Sequence, residues 1–305
     1  MTNTSPASRS TVLVLLLVAL GLAACAGHGK DSHPAFFDGP DHLVHPASMW
    51  EGSFESQGSK MNAIAYEAAG EGPHPTAILL HGFPGNERNL DLAQVLRRGG
   101  WNAVFFHYRG AWGSGGEFGF QNALEDVRAV IEQVRAPEFA KAHRIDPGRI
   151  GLVGHSMGAF LAISAAAEEP EVDCVVAIAA ADMGQYASDE SEEAADHAAA
   201  ERFDGMLDGR LAGTSGAELV GELKSDPDHY DLKQKAPAVA DRPVLLVAGA
   251  RDDVAPVADQ QALSEAIVAE GGDARVVVLD ADHGFSSTRV ALAKNVLEFL
   301  DMKCR

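Results

Sequence analysis

Short, almost wholly apolar runs recur along the chain and predict its main elements. A strand that is buried on both faces reads as a continuous apolar run, which is typical of a parallel sheet covered by helices. Runs of this kind are centred near Ile78, Phe105, Leu152, Val176, Leu245 and Val277. Between two of them, apolar residues recur at helical spacing at Leu124, Val127, Ile131 and Val134. The pattern therefore predicts a mostly parallel sheet flanked by helices.

The segment before these runs has a different pattern. Residues 49–55 alternate between apolar and polar side chains, as an edge strand does, and residues 62–66 follow as the predicted hairpin partner. This hairpin would add an antiparallel edge to the parallel sheet.

A long interval separates two of the predicted strands. About sixty residues lie between the run ending near Ala181 and the run starting at Pro243, far more than a crossover helix needs. We expect residues 182–240 to be a helical cap insertion that shapes a pocket. Its acidic run at residues 189–196 is interpreted as a solvated helix face rather than a cation site. Trp112 and Phe118 either line the same pocket or pack in the core.

The N-terminus carries a separate signal. An apolar run at residues 12–20 follows Arg9, is too short for a confident membrane span, and ends in Leu22-Ala23-Ala24-Cys25. This resembles a bacterial lipoprotein signal, so residues 1–24 would be removed and Cys25 would be lipidated. An ordinary secretory signal is the alternative. Either reading predicts export, with the lipid anchor placing the protein in the bacterial cell envelope, on the periplasmic side of the outer membrane if the host has one.

Residues 25–47 are interpreted as a flexible, polar tether, and residues 48–305 as the folded domain. Four histidines of the tether region lie near aspartates, but their irregular spacing favours a solvated linker over a metal site. They are His28, His33, His42 and His45. The sequence therefore predicts no metal ligand.

Size and charge limit the function further. With 305 residues and a hydrophobic share of 46%, the chain can bury the core of one α/β domain plus an insertion. The formal net charge of -20 makes nucleic acid and anionic membrane surfaces unfavourable partners. The predicted contact with a membrane is thus made by lipid and not by charge.

Two cysteines remain once Cys25 is assigned to the lipid. Cys174 begins an apolar run and Cys304 is next to last in the chain. An oxidising compartment allows a disulfide between them, but no spacing pattern supports it. Their pairing stays open at this point.

The candidate chemistry is centred on Gly154-His155-Ser156-Met157-Gly158. This G-x-S-x-G pattern follows an apolar run at residues 149–153 and precedes a helix-like stretch at residues 158–167, so it lies in the strand-turn-helix context of a nucleophile elbow. A serine can also simply cap a helix. The histidine and the aspartates that follow later in the chain favour the nucleophile.

A serine nucleophile needs a base and an orienting acid, and both residue types follow at strand ends. His283 comes just after the last apolar run, and Asp252 and Asp253 come after the run that ends at Gly249. The two aspartates cannot be separated by local pattern, since one could orient the imidazole while the other caps the helix that begins near Pro256.

Several motifs together resemble the serine hydrolases of the α/β-hydrolase superfamily, in particular esterase-like and S9-peptidase-like catalytic domains. They are HGFPGNE at 81–87, FHYRGAWGSGG at 106–116, GHSMG at 154–158, GARDDVAP at 249–256 and DHGF at 282–285. The resemblance implies the α/β-hydrolase fold, with a mostly parallel central sheet and a helical cap insertion. Its acid motif, G-x-x-D followed by Pro, places the acid on Asp252.

The same resemblance implies a mechanism. Ser156, Asp252 and His283 would form the catalytic triad, and the backbone N–H groups of Phe83 and Met157 would form the oxyanion hole. The expected reaction is hydrolysis of a small-molecule carboxylic ester through an acyl-enzyme, with no cofactor.

Two other functions stay open. An S9-like peptidase or amidase acting on a short peptide is the first, although the chain has no room for the N-terminal propeller that such peptidases use. A non-catalytic surface lipoprotein that uses the cleft only for binding is the second.

Overall fold

One eight-stranded sheet runs through the computed structural model, which describes Met1 and residues 34–36, 44–186 and 193–304. The strands are β1 Ser48–Ser56, β2 Ser59–Glu67, β3 His74–Leu80, β4 Asn102–Phe106, β5 Ile145–His155, β6 Cys174–Ile178, β7 Val244–Gly249 and β8 Ala274–Leu279. Their spatial order is β1-β2-β4-β3-β5-β6-β7-β8. β2 pairs antiparallel with both β1 and β4, and the remaining neighbours are parallel. The predicted edge hairpin and the mostly parallel sheet are both confirmed.

Helices cover both faces of this sheet. They are α1 Leu90–Arg98, α2 Phe120–Arg135, α3 Pro137–Ala142, α4 Met157–Glu168, α5 Glu193–Leu207, α6 Gly216–Ser225, α7 Pro227–Tyr230, α8 Ala236–Val239, α9 Val257–Ala269 and α10 Arg289–Lys303. Short 3-10 turns lie at Pro34–Phe36, Met183–Tyr186 and Leu232–Lys235. Among the described residues, no helix has the length and apolar character needed to cross a membrane.

Alternate residues of the central strands enter two separate cores. Ile78 and Phe106 pack on the side of α2 and α4, whereas Leu79 and Phe105 pack on the side of α1 and α10. Side chains that alternate between two buried faces explain why these strands read as continuous apolar runs. The carboxyl ends of the parallel strands then meet at one edge of the sheet, where the site lies.

The segment between β6 and β7 contains α5 to α8 and attaches to the domain through main-chain contacts. The Ala212 N–H donates to the Gly110 carbonyl at 2.8 Å, and the Phe118 N–H donates to the Ala212 carbonyl at 2.9 Å. The Trp112 N–H donates to the Arg210 carbonyl at 2.8 Å. The insertion is thereby joined to the glycine-rich loop that follows β4.

A carboxylate makes a second attachment. Glu222 of α6 accepts hydrogen bonds from the backbone N–H groups of Phe120 and Gln121, at 3.0 and 2.6 Å, and from the Tyr230 hydroxyl at 3.1 Å. Phe120 and Gln121 form the first turn of α2, where N–H groups lack partners within the helix. Glu222 therefore caps a helix of the domain from within the insertion. Residues 189–192 of the predicted acidic run lie outside the described residues.

The structure pairs the two cysteines that the sequence left open. Cys174, at the start of β6, and Cys304, just after α10, form a disulfide with a Cα–Cα distance of 5.3 Å. This distance lies within the ordinary range for a disulfide. The bond ties the C-terminal helix to the middle of the sheet.

One part of the predicted tether packs against the domain. Ala35 is fully buried, and its carbonyl accepts a hydrogen bond from the Arg98 side chain of α1 at 2.6 Å. Ala35 and Phe36 also pack against the core on the side of α1. Residues 2–33, which include Cys25, and residues 37–43 lie outside the described residues.

Candidate active site

Ser156 lies at a sharp turn between β5 and α4. Its backbone has φ 57° and ψ -122°, a conformation that residues other than glycine rarely adopt. Its N–H donates to the Ile178 carbonyl at 2.9 Å. A Cβ on Gly154 would overlap the Gly158 backbone, and one on Gly158 would overlap the Leu80 carbonyl. Only glycine at these two positions lets β5, β3 and α4 approach closely enough to form the turn.

His283 lies between Ser156 and Asp252. Its Nε2 is 3.0 Å from the Ser156 Oγ, and its Nδ1 is 2.8 Å from the Asp252 Oδ2. The loop after β8 supplies the histidine, and the loop after β7 supplies the aspartate. Because a carboxylate only accepts, Nδ1 carries the imidazole proton and Nε2 is left to accept from the serine hydroxyl.

Asp252 is the aspartate that reaches His283. Its side chain is fully buried, and its second oxygen accepts from the N–H groups of Val254 and Ala255, each at 2.9 Å. Burial alone would raise the pKa of this carboxyl, but the hydrogen bonds from His283 and from the two N–H groups lower the pKa below its usual value. Asp253 is exposed. Asp252 therefore takes the orienting role, whereas the helix that follows begins at Val257 with Pro256 at its N-cap and receives no capping hydrogen bond from either aspartate side chain.

His155 holds the backbone of His283 through a hydrogen bond, a role that the sequence did not predict. The His155 Nε2 is 2.8 Å from the His283 carbonyl, so Nε2 donates, and the two rings lie 4.9 Å apart. Burial lowers the pKa of His155 to about 4, which keeps the ring neutral near pH 7. Its position inside the G-x-S-x-G pattern was the available signal.

Arg289 holds the loop that carries His283. Its guanidinium donates to the Gly284 carbonyl at 3.2 Å and to the Asn89 side chain at 2.9 Å. It also pairs with Asp91 at the start of α1. These contacts join α10, α1 and the histidine loop around one planar cation. Nothing in the local sequence pattern indicated them.

The loop after β3 forms the opposite wall of a cleft at Ser156. Gly82 lies so close to the serine that an added Cβ would be 2.9 Å from the Ser156 Cβ. The cleft has a volume of about 180 Å³, and its walls are Gly82, Phe83, Pro84, Gly85, Asn86, Glu87, His155, Ser156, His283 and Gly284. The structure thus places Phe83 at the cleft and Met157 in the first turn of α4, directly after the serine.

The Phe83 side chain closes the cleft towards the insertion. Its ring lies 5.3 Å from the ring of Phe203 in α5, 5.7 Å from Phe118 and 6.0 Å from Phe120. Phe118 is buried in this aromatic group, so it belongs to the core. The Trp112 indole N–H donates to the Pro84 carbonyl at 2.7 Å and braces the loop from behind.

A larger groove of about 810 Å³ lies elsewhere, along α2 and the end of α4. Its cations are already paired, because Arg128 contacts Glu168 and Glu169 and Arg135 contacts Glu171. Neither Ser156 nor His283 lines this groove. Over the described residues, no group of three or more His, Cys, Asp or Glu side chains is arranged to hold a metal ion.

Comparison with known proteins gives one family. The sequence profile described as "Alpha/beta hydrolase family" matches residues 77–294. The chain is 38% identical over 106 residues to an uncharacterized 31.7 kDa protein of Escherichia coli, and this match covers 34% of the chain and 36% of that protein. It is 28% identical over 199 residues to the putative esterase YitV of Bacillus subtilis, covering 60% of the chain and 71% of YitV. The match to the E. coli protein therefore spans about a third of that relative's length.

Solved structures share the fold. The esterase Pf2001 of Pyrococcus furiosus aligns with a TM-score of 0.60 at 19% identity, over 91% of this chain and 98% of that one. Est1E of Butyrivibrio proteoclasticus, solved with ferulic acid bound, gives a TM-score of 0.63 at 17% identity, over 83% and 98%. An acylaminoacyl peptidase of Pyrococcus horikoshii gives 0.60 at 17% identity, but only 42% of that chain is covered.

Proposed function

The chain belongs to the α/β-hydrolase family, and we propose that it is a serine esterase acting through an acyl-enzyme intermediate. The observation that carries the proposal is the hydrogen-bonded series from Asp252 through His283 to Ser156, with distances of 2.8 and 3.0 Å. Such a series prepares a hydroxyl to give up its proton as it attacks a carbonyl carbon.

The proposed reaction has two halves. The Ser156 Oγ attacks the ester carbonyl while His283 Nε2 takes the hydroxyl proton, and the ionised Asp252 stabilises the imidazolium. The N–H groups of Phe83 and Met157 bind the oxygen that becomes negative. His283 then returns the proton to the departing alcohol. In the second half, a water molecule activated by His283 releases the acid.

The size of the cleft favours small acyl groups. A cavity of about 150 Å³ is large enough for a benzene molecule. The cleft at Ser156 measures about 180 Å³, and Phe83 closes it on the side of the insertion. We therefore expect esters with short acyl chains, or with one small ring, to react best. The ferulic acid bound to Est1E is a small aromatic acid of this kind.

Peptide or amide hydrolysis is the second candidate, since the same apparatus can cleave an amide and an acylaminoacyl peptidase shares the fold. Nitrophenyl esters of rising chain length and peptide anilides, assayed side by side, separate the two. We expect ester turnover that falls with chain length and is abolished in Ser156→Ala, because the members of a triad act as a unit. Faster turnover of the anilides would favour a peptidase. Substantial residual activity in Ser156→Ala would move the nucleophile elsewhere.

A fluorophosphonate probe distinguishes an enzyme from a binding protein. The proposed mechanism requires that wild-type protein be labelled and that Ser156→Ala be unlabelled. A folded wild type that does not react would support a lipoprotein that uses the cleft for binding alone.

We also propose that Cys25 anchors the protein to the cell envelope, on the strength of Leu22-Ala23-Ala24-Cys25 after an apolar run of signal length. Lipoprotein modification adds several acyl chains, which makes anchoring stable where one chain would not. Metabolic labelling with a fatty-acid analogue should mark the wild type and not Cys25→Ser. An unlabelled wild type would leave an exported hydrolase without an anchor, and the proposed chemistry would stand.

A further inference from the structure

Two buried histidines lie behind the loop that carries Phe83, and the proposed mechanism does not use either of them. His81 follows β3 and is 1% exposed, and His107 follows β4 and is 8% exposed. The His81 Nδ1 is 2.8 Å from the Gly82 carbonyl oxygen, and the His81 Nε2 is 3.2 Å from the His107 Nδ1. The two rings and one peptide group thus form a continuous hydrogen-bonded line.

The direction of each hydrogen bond follows from the atoms. A carbonyl oxygen only accepts, so the His81 Nδ1 carries a proton and donates. In a neutral ring the His81 Nε2 then has a lone pair, and the His107 Nδ1–H must be its donor. Burial lowers the pKa of His81 to about 4 and that of His107 to about 3, and the nearby Arg88 cation acts in the same direction. Both rings are neutral near pH 7. His107 therefore donates a hydrogen bond to His81, and His81 donates one to the Gly82 carbonyl.

The receiving peptide group also contains the proposed oxyanion donor. The Gly82 carbonyl and the Phe83 N–H belong to one peptide bond, which is trans, so the two groups point in opposite directions. Holding the carbonyl on the His81 side therefore directs the N–H away from it. A carbonyl that accepts a hydrogen bond also polarises its amide, which makes the N–H a stronger donor. Within the described chain, the Phe83 N–H donates to no backbone carbonyl.

Other contacts already hold the backbone of this loop. The Tyr108 hydroxyl donates to the His81 carbonyl at 2.9 Å, and the Trp112 indole donates to the Pro84 carbonyl at 2.7 Å. These contacts fix the loop on both sides of the Gly82–Phe83 peptide. The His81 ring is the group that acts on the peptide between them.

We propose that His107 and His81 form a relay that orients and polarises the Gly82–Phe83 peptide, so that both are positioning residues for the oxyanion donor Phe83 N–H. This inference rests on the proposed ester hydrolysis. It assigns the histidines to stabilisation of the transition state, and it predicts that their loss lowers kcat and leaves KM nearly unchanged.

The test uses paired substitutions in the full-length protein. His81→Leu removes the donor to Gly82, whereas His81→Asn keeps an N–H donor near the position of Nδ1. In the same way, His107→Leu removes the donor to His81, whereas His107→Asn keeps an N–H donor near the position of the His107 Nδ1. His74→Leu, a half-buried histidine at the opposite end of β3, is the control for losing a histidine at all.

We expect His81→Leu to lower kcat by about 10- to 100-fold, somewhat less than the 10²- to 10³-fold seen when an oxyanion donor itself is removed. KM should stay within about twofold, and affinity for a boronate transition-state analogue should fall in step with kcat. His107→Leu should lose less, since it acts through His81. Both asparagine variants should recover most of the loss, and His74→Leu should match the wild type.

Thermal unfolding monitors the fold of every variant. If His81→Leu does not fold, the comparison of His107→Leu with His107→Asn decides. A folded His81→Leu with wild-type kcat, or asparagine variants as slow as the leucine variants, would overturn the relay while leaving ester hydrolysis in place. A wild type without ester turnover would reject the proposed function and the relay together.

Discussion

At the scale of single residues, the site depends on which nitrogen of each histidine carries the proton. Acceptor-only oxygens settle this for three rings: Asp252 for His283, the His283 carbonyl for His155, and the Gly82 carbonyl for His81. Gly82 and His283 line the cleft, and Asp252 is hydrogen-bonded to His283. The same hydrogen bonds therefore fix both the tautomer of each ring and the positions of the residues around the cleft.

The role of Asp252 gives a prediction with an internal control. Asp252→Asn should lower kcat by roughly 10⁴-fold, because an amide can donate to Nδ1 and so favours the wrong imidazole tautomer. Asp253→Asn changes an exposed neighbour that does not contact His283, and it should leave kcat within about twofold of the wild type. Steady-state ester kinetics on both variants make the comparison, and the reverse ranking would assign the acid to Asp253.

Residue-level prediction from sequence was uneven for a physical reason. Strand order predicts Ser156, His283 and an acid at Asp252 or Asp253, and the resemblance to α/β-hydrolases favours Asp252. The structure brings Ser156, Asp252 and His283 together. His81 and His107 lie within the motifs HGFPGNE and FHYRGAWGSGG, yet the tautomer and the hydrogen-bond partner of a histidine depend on contacts between strands that are distant in the sequence. The local sequence pattern does not indicate those contacts.

At the scale of elements, the decisive feature is the close approach of β5, α4 and β3. This approach leaves no room for a side chain at Gly158, since a Cβ there would overlap the Leu80 carbonyl. The strained turn at Ser156 persists because the packing around it fixes the backbone. Stability and the position of the nucleophile are coupled at this point.

We predict that Gly158→Ala destabilises the protein by at least about 2 kcal/mol and reduces activity, since backbone atoms must move to accept the methyl group. Gly221 in α6 is the matched control, because a Cβ there meets nothing within 4 Å. Gly221→Ala should stabilise the protein by about 0.5–1 kcal/mol through the helix propensity of alanine. Urea unfolding followed by circular dichroism measures both. Equal effects at the two sites would contradict the packing argument.

The elements themselves were predictable to different degrees. The six parallel strands and the edge hairpin were predicted because burial on both faces, or on one, leaves a direct pattern in the sequence. The attachments of the insertion were not. Glu222 reads as one more acidic residue on a short helix, and only the tertiary structure places its carboxylate at the first turn of α2.

At the scale of the whole molecule, the buried histidines make stability depend on pH. The pKa values of His81 and His155 are lowered from 6.5 to about 4, and that of His107 to about 3, with burial as the main cause. Below about pH 6.5 the unfolded chain binds protons that the folded protein does not. The free energy of unfolding should therefore fall as the pH drops from 6.5 towards 4, by about 2 kcal/mol per histidine at pH 5.

Buried carboxyls oppose this trend, since burial raises the pKa values of Asp126, Asp173 and Asp182 and lets the folded state bind protons. The prediction is therefore tested as a difference. His107→Asn should reduce the loss of stability between pH 7 and pH 5 by about 2 kcal/mol, because it removes one proton that only the unfolded chain binds. His197→Asn changes an exposed side chain and should not alter the loss. Identical pH dependence in His107→Asn and wild type would contradict the assignment.

The disulfide between Cys174 and Cys304 closes a covalent ring that contains only part of the site. The ring spans a sequence separation of 130 residues and includes the insertion, Asp252 and His283, whereas Ser156 lies outside it. A protease that cuts once inside the ring leaves both fragments joined. Nicked protein should run as a single chain on a denaturing gel until a thiol is added, and should separate into two bands afterwards. In an oxidising compartment, one cleavage within this ring therefore cannot release the fragment that bears His283 from the fragment that bears Ser156.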